Sequence, residues 1–228
     1  VVVSGKAPCM GGGMMVENMR MIEPVCAALA KAPVAHLVYV SSDAVYRDSP
    51  SPLTEESCAE PGSAHGAMHR AREVLLADAA KCPYAILRPT LIYGVDDPHN
   101  GYGPNRFRRL ARVGKEIVLF GEGEERRDHV LVDDVAELLR LILVHRSTGV
   151  LNAATGSVAS FRQIAETVAG LFDRPVAIKG SPRQGPMPHN GYRAFDPAGT
   201  ARAFPQFRYT SLADGLAATH RQYLERPA

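Results

Sequence analysis

An α/β fold built on a parallel sheet covered by helices is predicted by three observations. Short apolar runs rich in β-branched residues alternate with amphipathic helical stretches along most of the chain. A composition of 46% hydrophobic and 22% charged residues over 228 positions is that of a globular chain able to bury one core, or one core and a small lobe. No apolar run reaches the ~18–20 residues that a membrane-spanning helix needs.

The elements follow in order. Val1–Ser4 reads as a strand already under way at its first residue, and Met15–Ala32 as a helix with Met21, Val25, Ala28 and Leu29 on one face and a bend or late first turn at Pro24. His36–Val40 is a β-branched run and a buried strand. Ser63–Ala80 is helical, Tyr84–Leu87 a strand, and Asp96–Pro104 a loop rich in Gly, Pro and Asn. Asp133–His145 and Ser160–Phe172 carry apolar residues at three- and four-residue spacing, as helices do, with Asp133 and Asp134 placed to cap the first of them. Beyond Lys179 the chain is irregular until a last helix at Ser211–Leu224. About four parallel strands result, a small sheet with one edge open, as if the chain were the tail two-thirds of something larger.

Net charge is only +2 with no long basic run, which gives no case for nucleic acid or membrane binding. The start lacks the charged segment of a signal peptide, and Cys9, Cys26, Cys58 and Cys82 have no paired spacing; reduced thiols in a cytoplasmic protein are expected. Gly5 and Gly11–Gly13 between a strand and a helix look superficially like a phosphate-cradling turn. Their spacing is wrong and no acidic residue ends the next strand, so a flexible loop is expected there.

Five segments in sequence carry a family resemblance: VYVSSDAVY at 38–46, LRPTLIYG at 87–94, GEGEERRDHVLVDD at 121–134, GVLNAATG at 149–156, and the closing FRYTSLADGLAATHRQY. With Asn18 standing 24 residues before Ser42, this series resembles the extended short-chain dehydrogenase/reductase family, in its NAD-dependent epimerase/dehydratase branch. The resemblance implies a Rossmann-like parallel sheet with helices on both faces, N-terminally incomplete because the family's glycine-rich opening turn has no counterpart, plus a small C-terminal substrate-binding lobe. Residues 1–95 would be the remainder of the dinucleotide-binding domain. Residues 96–228 would hold the substrate lobe and returning sheet elements.

It also implies NAD or NADP as cofactor, a nucleotide sugar as substrate, and hydride transfer at a sugar carbon. Ser42, His65 and His69 fall on the catalytic positions. Ser41, His65, His69, Pro89 and Thr90 fall on the cofactor positions, and Ser42, Asp43, Arg127 and Arg193 on the substrate side. Family analogy pairs the helices Met15–Ala32 and Ser63–Ala80 across a two-fold axis in a homodimer.

The departure lies in HGAMH at 65–69. The family's Y-x-x-x-K motif belongs there, and Glu73 fixes the register, so His65 stands for the tyrosine and His69 for the lysine. Three readings stand side by side. An imidazole with a pKa near 6.5 can serve as a general base. Two histidines at i,i+4 can ligate zinc, although Glu73 lies ~12 Å from His65 along the axis and no third ligand is evident. Or the chain binds a nucleotide sugar, or a partner subunit, without turnover.

Overall fold

The computed structural model describes residues 1–97 and 100–225. In chain order the strands are β1 Leu37–Val40, β2 Tyr84–Pro89, β3 Leu91–Tyr93, β4 Ile117–Phe120, β5 Arg126–Leu131, β6 Gly149–Ala153, β7 Val158–Ser160, β8 Ile178–Ser181 and β9 Tyr192–Arg193. The helices are α1 Gly11–Lys31, α2 Ala64–Ala79, α3 Pro104–Arg112, α4 Val132–His145, α5 Phe161–Ala169, α6 Ala198–Ala203 and α7 Leu212–Leu224, with short 3-10 turns at Asp43–Val45 and Pro188–Gly191.

The main sheet is parallel, ordered β1–β2–β6, and Val2 extends it by bridging to Tyr39 on the outer side of β1. Successive residues of a strand point to opposite faces. Leu37 and Tyr39 therefore pack with Ile22 of α1 and Leu76 of α2, while Val38 packs with Val135, Leu138 and Ile142 of α4. Helices cover both faces, as a buried parallel sheet requires.

A second sheet joins β3, β5 and β7, with β9 on the free side of β5, and β4 pairs with β8. A separate core of Phe107, Ile117, Leu119, Phe161, Ile164 and Val168 lies under α3 and α5.

Several expectations are corrected. The main sheet has the expected size, three strands and the Val2 bridge, but the short strands β3, β4, β7, β8 and β9 outside it had no counterpart in the sequence reading. Gly11–Gly13 are not a loop but the first turn of α1, which starts four residues earlier than its apolar spacing suggested. Pro24 sits inside α1, and the helix continues through it. Asp134 does not cap α4, whose N-cap is Leu131; its carboxylate accepts from the backbone N–H (2.8 Å) and hydroxyl (2.9 Å) of Thr210 and so anchors the approach to α7. The stretch after Lys179 holds β9 and α6. Of the expected loop 96–104, residues 98–99 lie outside the described residues.

Candidate active site

A pocket of about 920 Å³ opens where β1 and β2 end, the position at which parallel α/β sheets hold their ligands. Ser41, Ser42 and Asp43 reach its wall from the end of β1, and Pro89 and Thr90 from the end of β2. His65 and His69 reach it from α2, and Arg127 from β5. The structure thus brings together every sequence-derived site residue except Arg193.

Helix α2 is held in place at three points. Ser63 caps it, its Oγ accepting from the Gly66 N–H at 3.1 Å. Gly66 lets the helix touch the Asp43–Val45 turn: a Cβ there would stand 1.9 Å from the Ala44 carbonyl oxygen. The third is buried. Glu73 accepts a two-pronged ion pair from Arg88 of β2 (Nε at 2.8 Å, Nη2 at 2.7 Å) and a hydrogen bond from the Ser41 hydroxyl at 2.6 Å. One carboxylate therefore ties α2 to the ends of β1 and β2.

That tie redefines Ser41. It lines the pocket, but its hydroxyl is engaged by Glu73. Thr90 is similar, its Oγ1 donating to Asp128 at 3.2 Å. Asp128 faces away from its neighbour Arg127 and accepts from Thr155 and Gly156 backbone N–H groups at 3.1 and 2.8 Å; burial pushes its carboxyl above the usual range. Ser42 caps the 3-10 turn, accepting from Ala44 N–H at 3.2 Å, while also lining the pocket.

Arg193 corrects the expectation of a substrate contact. It is 2% exposed and clamps the 43–48 turn, donating to the Asp43 carboxylate (3.0 Å), the Asp48 carboxylate (2.6 Å) and the Asp43 and Tyr46 carbonyls. Asp43 lies between this guanidinium and that of Arg127, whose Nη2 is 3.8 Å from it. Arg127 also pairs with Glu125 at 3.3 Å.

The histidines are held from behind. The backbone N–H of Cys9 donates to His65 Nδ1 at 3.3 Å, and Tyr39 Oη lies 2.8 Å from His69 Nδ1. Cys9 is placed by the loop before α1, which the fully buried Asn18 grips through both the N–H (3.0 Å) and the carbonyl (3.0 Å) of Lys6. The two rings stand edge to face with centroids 4.7 Å apart. Burial lowers the basicity of both: His65 shifts down, and His69, burdened also by His65 and the Arg72 guanidinium, falls to about 3. Among the described residues no cluster of three or more His, Cys, Asp or Glu could hold a metal ion, so the zinc reading finds no third ligand.

Sequence reasoning missed Tyr39, Cys9, Asp48 and His189, which also lines the pocket and lies 2.5 Å from Asp48. For Tyr39 a signal existed, since alternation along β1 turns it toward α2. The loop residues carried none.

A family model, NAD dependent epimerase/dehydratase family, matches residues 11–154. The dTDP-L-rhamnose 4-epimerase of Burkholderia thailandensis is 30% identical over 139 residues, 57% of this chain and 38% of that protein. A protein of Oryza sativa subsp. japonica named after GDP-L-fucose synthase is 25% identical over 92% of this chain and 65% of its own length. The chain thus spans less than two-thirds of either relative. Among solved structures, MoeE5 in complex with UDP-glucose and NAD is 27% identical with a TM-score of 0.78, covering 91% of this chain and 72% of that one. No helix among the described residues is long and apolar enough to cross a membrane. On the span of the family match, the chain belongs to the NAD dependent epimerase/dehydratase family.

Proposed function

We propose that the pocket takes a nucleotide sugar and that the protein acts in its NAD(P)-dependent epimerisation, dehydration or reduction. The observation that carries this reading is the meeting of Ser42, His65, His69 and Arg127 on one wall at the ends of β1 and β2, in a chain of this family. Arg127, 11% exposed at its side chain, is the cation offered to a diphosphate. Ser42, at the turn it caps, is the hydroxyl beside the sugar.

The cofactor, when bound, supplies and recovers the hydride. The residues present fit its nicotinamide end: Nε2 of His65 and of His69 has no partner among the described residues, and both histidines line the same pocket as Pro89 and Thr90. They would offer their free nitrogens to the carboxamide oxygen or to the sugar beside it. Gly11–Gly13 form the first turn of α1, where a Cβ at any of them would meet nothing within 4 Å, so no close approach inside the chain calls for glycine there.

A second reading, binding without turnover, is favoured by the loss of charge at position 69. An imidazole whose pKa is about 3 is neutral at pH 7, where the family pattern has a lysine. Calorimetry with NAD+, NADP+ and UDP-, dTDP- and GDP-sugars tests the first reading, which fails if none binds. The variant His65→Tyr with His69→Lys separates the two: activity confined to the double variant means the natural site does not turn over. Pairing of two chains through α1 and α2, where Val16, Val74 and Leu75 are exposed, is a further part of this proposal, tested by sedimentation equilibrium.

A further inference from the structure

Two hydrogen bonds behind the pocket decide what the histidines offer inside it. A neutral imidazole has one N–H and one lone pair, and the partner of one nitrogen sets the state of the other. The Cys9 backbone N–H can only donate, so His65 Nδ1 holds the lone pair and the proton resides on Nε2. At His69 the partner is a phenol, which can donate or accept. Tyr39 is 1% exposed and its hydroxyl has no other acceptor among the described residues. Donation to His69 Nδ1 is the arrangement that leaves no buried hydroxyl proton unpaired. The proton of His69 is then on Nε2 as well.

We propose that the pocket meets its ligand with two neutral N–H donors, Nε2–H of His65 and of His69, and thereby selects an oxygen that accepts without donating: a sugar carbonyl or a carboxylate. This rests on reading the pocket as a nucleotide-sugar site. An acceptor-only oxygen satisfies both donors. A hydroxyl must find a separate acceptor for its own proton, and neither imidazole supplies one. For His65 to act as a base at Nε2 it must break its bond to Cys9 and move its proton to Nδ1; His69 can make the same move only by reversing its bond to Tyr39, which strands the buried phenol proton. Burial keeps both rings neutral at pH 7, consistent with this role. Tyr39 and Cys9 are positioning residues in this scheme, and Asn18 acts through Cys9 by gripping the loop at Lys6.

Two-bond 1H–15N spectra of histidine-labelled protein read the tautomers with no ligand present. The expected result is Nε2–H at both His65 and His69, and a shift of His69 alone to a tautomer mixture in Tyr39→Phe, which keeps the ring packed. Nδ1–H at either histidine, or no change in Tyr39→Phe, overturns the inference. In the binding arm, UDP-glucuronate and UDP-4-keto-6-deoxyglucose report carboxylate and carbonyl against UDP-glucose. At least one should bind roughly tenfold tighter, with the preference lost in His65→Phe, since each neutral hydrogen bond is worth severalfold. Equal affinity for all three overturns the selectivity. Tautomers as stated with no binding of any of them support the donor pair and overturn the nucleotide-sugar reading instead.

Discussion

Replacing Glu73 by alanine removes the acceptor that joins α2 to both strand ends. Its side chain is 0% exposed, and Arg88, 4% exposed at its own, would lose both of its carboxylate bonds. What stays near Arg88 is Tyr46, whose ring lies 4.7 Å from its guanidinium carbon and whose hydroxyl oxygen can accept a hydrogen bond, but which carries no charge to balance the guanidinium. Ser41 loses its partner at the same time. Breaking a buried ion pair from one side leaves an uncompensated charge and costs about 3–5 kcal/mol. At ~2–4 °C per kcal/mol for a chain of this size, the midpoint of thermal unfolding should fall by roughly 6–20 °C. Far-UV circular dichroism during heating, with urea unfolding beside it, measures the loss. Adding Arg88→Met to Glu73→Ala removes the stranded charge and should restore at least half of it. A loss below about 1 kcal/mol in Glu73→Ala, or a double variant no more stable than the single one, refutes the assignment of this pair as the fastening of α2.

Three further outcomes are expected. Gly66→Ala drives a methyl into the Ala44 carbonyl and should destabilise by about 1–3 kcal/mol in urea while weakening nucleotide-sugar affinity; a neutral result means α2 does not rest on the Asp43–Val45 turn. His129 and His69, each with a pKa near 3, are neutral when folded but take up protons near pH 6.5 when unfolded. The unfolded state therefore binds more protons in that window, and stability should fall as pH drops from about 6.5 toward 3, by up to about 1.4 kcal/mol per pH unit for each histidine. Urea midpoints at pH 7, 6 and 5 read this, and His129→Phe should flatten the slope. Arg193→Met should destabilise by about 3–5 kcal/mol by leaving Asp43 without its main partner, whereas Arg127→Ala should weaken ligand binding more than it weakens the fold. Equal effects from the two would remove the distinction between clamp and wall.

The strands β1 and β2 were legible as apolar runs and the long helices that cover them by their period, and the Glu73 register placed His65 and His69 on the pocket side of α2. The shortest strands were not legible: β9 is two residues long and β7 three, and such strands exist only through their pairing with β5. The start of α1 was missed because three glycines disfavour a helix locally, yet the Asn18 contacts of that helix hold the preceding loop in place. Arg193 reads as a solvated loop arginine until the fold brings in Asp43 and Asp48, 150 and 145 residues away. The roles of Ser41 and Thr90 likewise depend on partners, Glu73 and Asp128, that no local pattern announces. Spacing placed residues at the pocket, but only packing determined which of their atoms are free to meet a ligand.

The most direct test is a histidine-resolved 1H–15N titration of the protein with UDP-glucuronate. Saturable movement of the Nε2–H signals of both His65 and His69, with His36 and His220 unmoved, is the predicted result. Binding that leaves the His65 and His69 signals in place, or moves the distant pair instead, would contradict it.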